Sequence, residues 1–328
     1  MYHGQRRTSR WVLLSDGARP TEDIYFMSPA APWLRCGGGS VVRLDTRRWR
    51  SPALCWPWLG RLLRGAQVLV CRSLSEPWLD ALETRRADVA SVRYLIDDDI
   101  EAASLDDRLP EPYRKRMAWI ARASQPRLLA LADEVIVTSA SLAVTMSAGH
   151  RRVVELPPVL LAPLPSREHF NAGTRWRLGY HGTRAHRSDL EHIASALCSV
   201  HDAYPRLDLI MMLGPATPAA LAERGRIQTP GPLSWDAYRQ HLRRRRLHIG
   251  VAPLLPTPFN AGKSHLKFLD ITAMGGVGVY SRRSPYADIV SDGEDGLLAD
   301  DDPDDWRRCL VRLLETPGET RRMAARAA

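Results

Sequence analysis

The chain has 328 residues, 45% hydrophobic and 25% charged, which suits two soluble domains of ordinary size with ample core. Its net charge of +9 comes mostly from arginine and would suit nucleic acid, anionic lipid or phosphorylated substrates; no RNP-like, zinc-finger or helix-turn-helix pattern accompanies it, so specific nucleic-acid recognition is not expected. No run approaches the roughly 18 apolar residues of a membrane span, MYHGQRRTSR at the N-terminus has no apolar stretch behind it to make a signal peptide, and the five cysteines (Cys36, Cys55, Cys71, Cys198, Cys309) form no C-x-x-C pair or metal spacing, which fits a reduced cytoplasmic setting with most of them as small buried apolar residues.

Trp11–Leu14 reads as a first strand that ends in the turn Ser15-Asp-Gly17, followed by an apolar Ile24–Met27 segment. Gly37-Gly-Gly39 precedes a strand (Val41–Leu44) and lacks both the G-x-G-x-x-G spacing and a following helix, so it is a flexible turn rather than a phosphate loop. A strand at Ala66–Val70 and a helix at Glu76–Arg86, with Trp78, Leu79 and Leu82 inward, come next. The strand Ser91–Ile96 then ends directly in Asp97-Asp98-Asp99. Three adjacent carboxylates repel one another and raise each other's pKa, and the chemistries open to them are a metal site, an acid/base cluster or capping of the next helix. A long helix over Pro112–Ala132 carries Met117, Ile120, Leu128 and Leu131 on its apolar side, and strands at Ala132–Ser139 and Val153–Pro158 follow. Pro157, Pro158, Pro163 and Pro165 mark a domain boundary near residue 165.

The second half repeats the alternation. Trp176–Thr183 is strand and turn, with Arg184, His186 and Arg187 before a capping box at Ser188-Asp-Leu-Glu191 and a core stripe of Leu190, Ile193, Leu197 and Val200. Leu207–Leu213 is a strand, and Ser234 caps a helix with Trp235, Tyr238 and Leu242 inward. That helix ends in Arg243–Arg246, where the helix dipole favours cations. The stretch His248–Ser281 reads as strand, loop, helix, strand: Ile249–Ala252, a loop over Pro256–Lys263, a helix of about ten residues stopped by Gly275-Gly276, and Val277–Tyr280. Spacing places Leu266, Leu269 and Ala273 on a sheet-facing side and Lys263, Lys267, Asp270 and Met274 on another. The second face is either a solvated face with a weak ion pair or an anion site at a helix N-terminus, with phosphate first and ribose one turn deeper. Further on, Ser284-Pro285 reads as N-cap and first helical position, Gly293–Leu298 as a turn, and Trp306–Leu314 as an amphipathic helix.

The motif Asn260-x-x-Lys263-Ser264-x-x-Lys267-Phe268-Leu269-Asp270, followed by Gly276-Val-x-Val-Tyr-Ser281, resembles the donor-binding part of GT-B fold glycosyltransferases, particularly the retaining family-4 type. The resemblance implies that Asp270 holds the donor ribose and Lys267 faces the pyrophosphate. That family carries a first glutamate that would fall near Gly262, where no acid stands; Asn260 or Lys263 would have to replace it. The Tyr180-His181-Gly182-Thr183 turn is similar to the family's basic donor-diphosphate loop, which makes Gly182, Thr183, Arg184, His181, His186 and Asp189 candidates. Ser264 and Ser284 join the donor set, and Asp97 and Asp98 fall on the acceptor side, with His186 and Lys263 as further catalytic candidates.

By resemblance the fold is α/β, two Rossmann-like domains facing across a cleft in the GT-B architecture: residues 1–165 on the acceptor side and 166–328 on the donor side. The activity implied is transfer of a sugar from a nucleotide-diphosphate donor to an acceptor hydroxyl, with retention, in glycan or glycoconjugate synthesis. It needs no cofactor and no metal, the nucleotide sugar being a substrate. The acceptor would be a sugar, a lipid-linked or a phosphorylated molecule, and the basic surface admits peripheral contact with a membrane from the cytoplasmic side. Two alternatives stand beside it: a non-catalytic nucleotide-sugar-binding protein, favoured by the missing glutamate, and a nucleotide-sugar isomerase of the same fold acting through Asp97 and Asp98.

Overall fold

A computed structural model describes residues 9–49, 51–52, 56–171 and 175–328. Cys55 and the first eight residues, on which the absence of a signal peptide was read, lie outside the described residues. The chain forms two compact units: Met1–Leu105 with Arg114–Val159 and Gly262–Ser264, and Asp106–Tyr113 with Leu160–Ala261 and His265–Ala328.

In the first unit β1 (Arg10–Ser15), β2 (Ser40–Asp45), β3 (Gln67–Cys71), β4 (Ser91–Ile96), β5 (Glu134–Val137) and β6 (Val153–Glu155) form a parallel sheet in the order β2-β1-β3-β4-β5-β6. The order steps one way from β1 and the other way from β3. That reversal is the switch point of a doubly wound sheet, beside which ligands sit at the strands' carboxyl ends. Val12, Leu14, Val68, Val70, Val92 and Tyr94 are fully buried within it. The long helix expected over 112–132 is a helix Glu111–Trp119, a π-helical turn Ile120–Ser124 and a helix Gln125–Leu131. Met117, Ile120 and Leu128 are buried as expected.

In the second unit β7 (Trp176–His181), β8 (Leu207–Met212), β9 (Ile227–Gln228), β10 (Ile249–Ala252), β11 (Val277–Ser281) and β12 (Leu297–Ala299) run parallel in the order β12-β11-β10-β7-β8-β9. β10 lies between β7 and β11 and is buried throughout, which accounts for its unbroken apolar run. Gly250 lets the helix Leu266–Ala273 approach closely: a Cβ there would come within 2.4 Å of the Ile271 side chain. The amphipathic helix Pro303–Glu315 buries Trp306, Leu310 and Leu313 in this unit's core. Among the described residues no helix is long and apolar enough to cross a membrane.

Candidate functional site

In the second unit, the chain leaves β10 through a short helix, Pro258–Ala261, and enters the helix Leu266–Ala273. Two details depart from the sequence reading. The helix has eight residues with His265 at its N-cap, so Lys263 precedes it and does not share a helical face with Lys267. Its buried residues are Asp270 to Ala273, while Leu266 and Leu269 are half-exposed; Ile271 packs on the sheet because Gly250 makes room for it.

Lys267 and Asp270 do meet. Asp270 is 7% exposed, and its Oδ2 accepts a hydrogen bond from the Tyr238 hydroxyl at 2.7 Å and lies 3.4 Å from Lys267 Nζ. Burial first, and then the Asp270 charge, push the Tyr238 phenol far above its ordinary range, so it stays a donor. His181 Nδ1 lies 3.2 Å from the same hydroxyl. Because the phenol's one hydrogen goes to Asp270, His181 must donate from Nδ1, which leaves the lone pair on Nε2. Nε2 is buried and has no hydrogen-bond partner among the described residues. Burial, with Lys267 and His241 nearby, keeps this imidazole neutral far below its usual pKa. Tyr238 was expected to be only a core residue; its placement on Asp270 is a tertiary contact that helical spacing does not signal.

The loop after β7 carries the other basic candidates. Thr183 and Arg184 are exposed at the start of a 3-10 turn (Arg184–His186), and Gly182 is half-buried against the Tyr180 ring. The capping box is not formed: the helix begins at Arg187 with His186 at the N-cap, so Ser188 lies within its first turn. Asp189 is instead a hub. One oxygen receives the His186 Nδ1 hydrogen bond at 2.8 Å; the other accepts from the Leu255 amide and from Asn260 Nδ2, both at 2.8 Å. Asn260 also donates to the Leu255 carbonyl at 3.1 Å, so its amide ties the segment after β10 to Asp189 in the helix Arg187–His192. With Nδ1 donating to Asp189, the ring's lone pair lies on Nε2. Ser284 starts a series of turns at 284–289, not a helix; it is exposed, and its hydroxyl donates to Asp288 Oδ2 at 2.6 Å.

The first unit has an acidic edge. Asp99 Oδ1 accepts from the Ala102 amide at 2.9 Å and caps the helix Ile100–Leu105. Asp97 and Asp98 are held by Arg72, at 3.3 and 3.0 Å. Asp97 Oδ2 also accepts from Thr21 at 2.5 Å, and Asp98 Oδ1 lies 2.6 Å from Lys263 Nζ. Burial raises the Asp97 pKa, with Arg72 opposing it. Ser264 Oγ lies 2.9 Å from the Tyr25 hydroxyl. Thus Lys263 and Ser264 belong to the first unit's carboxylate edge, while Lys267 and Asp270 belong to the second unit.

Arg72 was missed. It follows β3 in the left-handed region (φ 65°), which turns the chain at the strand's carboxyl end. The signal was available: a basic residue ending the strand beside the one that ends in three aspartates. Gly262, where the family pattern has a glutamate, is buried. Its carbonyl accepts from Ser139 at 2.9 Å, and a Cβ would lie 3.2 Å from Asp99 Cβ and 3.3 Å from Leu142 Cδ2.

Residues 173–328 match the model of a family described as glycosyl transferase-like. No curated protein matches the sequence significantly. Among solved structures, a sucrose-phosphate synthase from Thermosynechococcus elongatus is 14% identical with a TM-score of 0.63, covering 97% of this chain and 93% of that one. A glycosyltransferase from Rickettsia africae is 10% identical with a TM-score of 0.60, covering 98% and 92%. HepE from Anabaena, in complex with UDP and glucose, is 13% identical with a TM-score of 0.57, covering 97% and 93%. The fold is that of the GT-B glycosyltransferases. The match over residues 173–328 supports a glycosyltransferase as the enzyme class.

Proposed function

We propose that the protein transfers a sugar from a nucleotide-diphosphate donor to an acceptor hydroxyl, with retention at the anomeric carbon and without a cofactor. The observation that carries this reading is the Tyr238–Asp270–Lys267 arrangement at the helix Leu266–Ala273, inside the segment that matches the glycosyl transferase-like family. A buried carboxylate oriented by a phenol is suited to two sugar hydroxyls of a ribose. The ammonium of Lys267 and the positive end of the same helix suit the diphosphate. Arg184, exposed after β7, adds a cation for the leaving group. The likeness to HepE, whose structure holds UDP and glucose, supports a uridine donor among the candidates.

His186, oriented by Asp189, is our candidate for the group that moves a proton, and the paired Asp97, Asp98 and Lys263 of the first unit for contacts to a hydroxylated acceptor. Catalysis of this kind is positioning and electrostatic stabilisation of the diphosphate as it leaves.

The test is calorimetry against UDP, GDP, ADP, CMP and dTDP, with Lys267→Ala and Asp270→Ala beside the wild type. One diphosphate binds, and both substitutions weaken it; binding by none of them sinks the reading. A second reading, nucleotide-sugar binding without turnover, is favoured by Gly262, which stands where the glutamate would fall and where a Cβ would crowd Asp99 and Leu142. It predicts donor affinity with neither transfer nor donor hydrolysis.

A further inference from the structure

The first unit contains a cavity of about 210 Å³ whose walls are almost wholly apolar, among them Trp11, Phe26, Leu34, Leu95 and Ile136. Arg93 and Glu134 are the charged groups at its wall, and they satisfy each other at 3.1 Å. Arg93 is further engaged with Gln67 Oε1 at 2.8 Å and lies 4.9 Å above the Trp11 ring. The wall therefore asks for no polar guest. An apolar cavity of about 150 Å³ stays dry and binds benzene; this one has more room. Trp11, Leu34 and Ile136 remain half-exposed, apolar surface whose burial by a guest would be worth roughly 25 cal/mol per Å².

Its position gives it a role. Leu95 pairs with Ile136 near the carboxyl ends of β4 and β5, and Asp97 and Thr138 follow just past those ends. The cavity therefore lies just behind the acidic edge. Tyr25 joins the two: its ring lines the cavity and its hydroxyl bonds Ser264, next to the Lys263–Asp98 pair.

We propose that this cavity holds the alkyl chain of an amphiphilic acceptor whose hydroxylated head lies at the Asp97–Ser264 edge. The head's role as acceptor rests on the transferase reading; occupancy of the cavity by an alkyl chain does not. The probes are octyl β-glucoside, kept below micelle formation, with methyl β-glucoside and glucose as controls, titrated into the full chain by calorimetry. Octyl glucoside binds saturably with a negative heat-capacity change, and the controls bind at least about tenfold more weakly. Ala30→Phe, which fills the cavity from its rim, lowers octyl affinity by a similar factor and leaves UDP affinity unchanged. Equal octyl affinity in wild type and variant overturns the proposal, as does no saturable binding by the wild type. Should Ala30→Phe not fold, a series of butyl, hexyl, octyl and decyl glucosides on the wild type decides: affinity that rises and then levels supports a cavity of limited depth, and affinity indifferent to chain length overturns it. Loss of UDP binding alone sinks the donor reading and not this one.

Discussion

The two units share a parallel six-stranded design, yet they neutralise their buried polar groups by opposite means. The first unit's carboxyl edge is ionic: Arg72 spans Asp97 and Asp98, Lys263 joins Asp98, Arg116 reaches Asp16 at 2.7 Å, and Arg43 holds Glu22 and Asp23. The second unit uses neutral rings. His169, His181, His201, His241, His248 and His265 all have pKa values lowered, with burial the leading cause in each. An ionic edge is sensitive to the loss of one partner, because the other is left charged in a poor solvent. A neutral imidazole is instead sensitive to pH. The same fold therefore predicts two distinct kinds of fragility.

The largest effect should come from Arg72→Met. It leaves Asp97 with Thr21 and Asp98 with Lys263, without the guanidinium that spans both, and breaking such a buried pair costs about 3–5 kcal/mol. Urea unfolding at pH 7 would measure it. Adding Asp98→Asn should recover part of the loss; an Arg72→Met variant as stable as wild type would mean that water already solvates these carboxylates and that the contrast between the units is false.

Next is the pH response of His248. Its Nδ1 accepts from the Arg177 amide and its Nε2 donates to the His169 carbonyl, each at 3.1 Å, so a second ring proton would oppose an N–H. Burial pushes its pKa down to about 4 from 6.5. Its contribution is present above pH 6.5 and is lost as pH falls from there towards 4, up to about 3 kcal/mol. The buried carboxyls of Glu22 and Asp97 have the opposite sign: raised in the fold, they favour it below their usual values, and that gain is lost as pH rises through their folded pKa. Thermal melts between pH 7 and 5 should therefore lower the second unit's transition relative to the first, and His248→Gln should flatten that slope. A slope unchanged by the substitution would remove His248 from the account.

The elements most legible in the sequence are those whose reasons are local. β10 reads as a buried strand because nothing polar interrupts Ile249–Ala252, and Trp78, Leu79 and Leu82 repeat at helical spacing and are buried. Lys267 and Asp270 were found because three residues along a helix bring side chains together. What failed depended on distant partners. Ser188 matches a capping box, but Asp189 is drawn to Leu255 and Asn260, and the helix starts one residue before Ser188. Lys263 fits the helical spacing, but the chain at Gly262–Ser264 packs with the first unit, where Asp98 takes the ammonium. Tyr25 on Ser264 and Arg72 on the aspartates are contacts between segments far apart in sequence, and no periodicity announces them.

Gly262 sharpens the comparison from the backbone side. Placing an acid there with Gly262→Glu puts a Cβ against Asp99 and Leu142 in a packed region, and overpacking costs about 1–3 kcal/mol. The variant should melt lower and gain no transfer activity. Rising activity at unchanged stability would mean that this loop repacks with ease and that the glycine is not a packing requirement.

The smallest effect expected, and the most diagnostic for the second unit, is that of Tyr238→Phe. Removing the hydroxyl deletes one hydrogen bond to Asp270 and leaves His181 Nδ1 without its acceptor, together worth on the order of 1 kcal/mol, or about fivefold in nucleotide affinity. An affinity loss alone would not separate a bound-ribose effect from slight loosening of the helix Trp235–Arg244. The His181 ring nitrogens do separate them. In the wild type, nitrogen-15 spectra should find Nδ1 protonated and Nε2 bearing the lone pair at all pH values down to well below 6.5. In Tyr238→Phe the preference for that tautomer should relax while the melting temperature falls only slightly. If the wild-type ring already carries its proton on Nε2, then the phenol donates to His181 and not to Asp270. The carboxylate would then depend on Lys267 alone, and the second unit would be ionic at its centre as the first is at its edge.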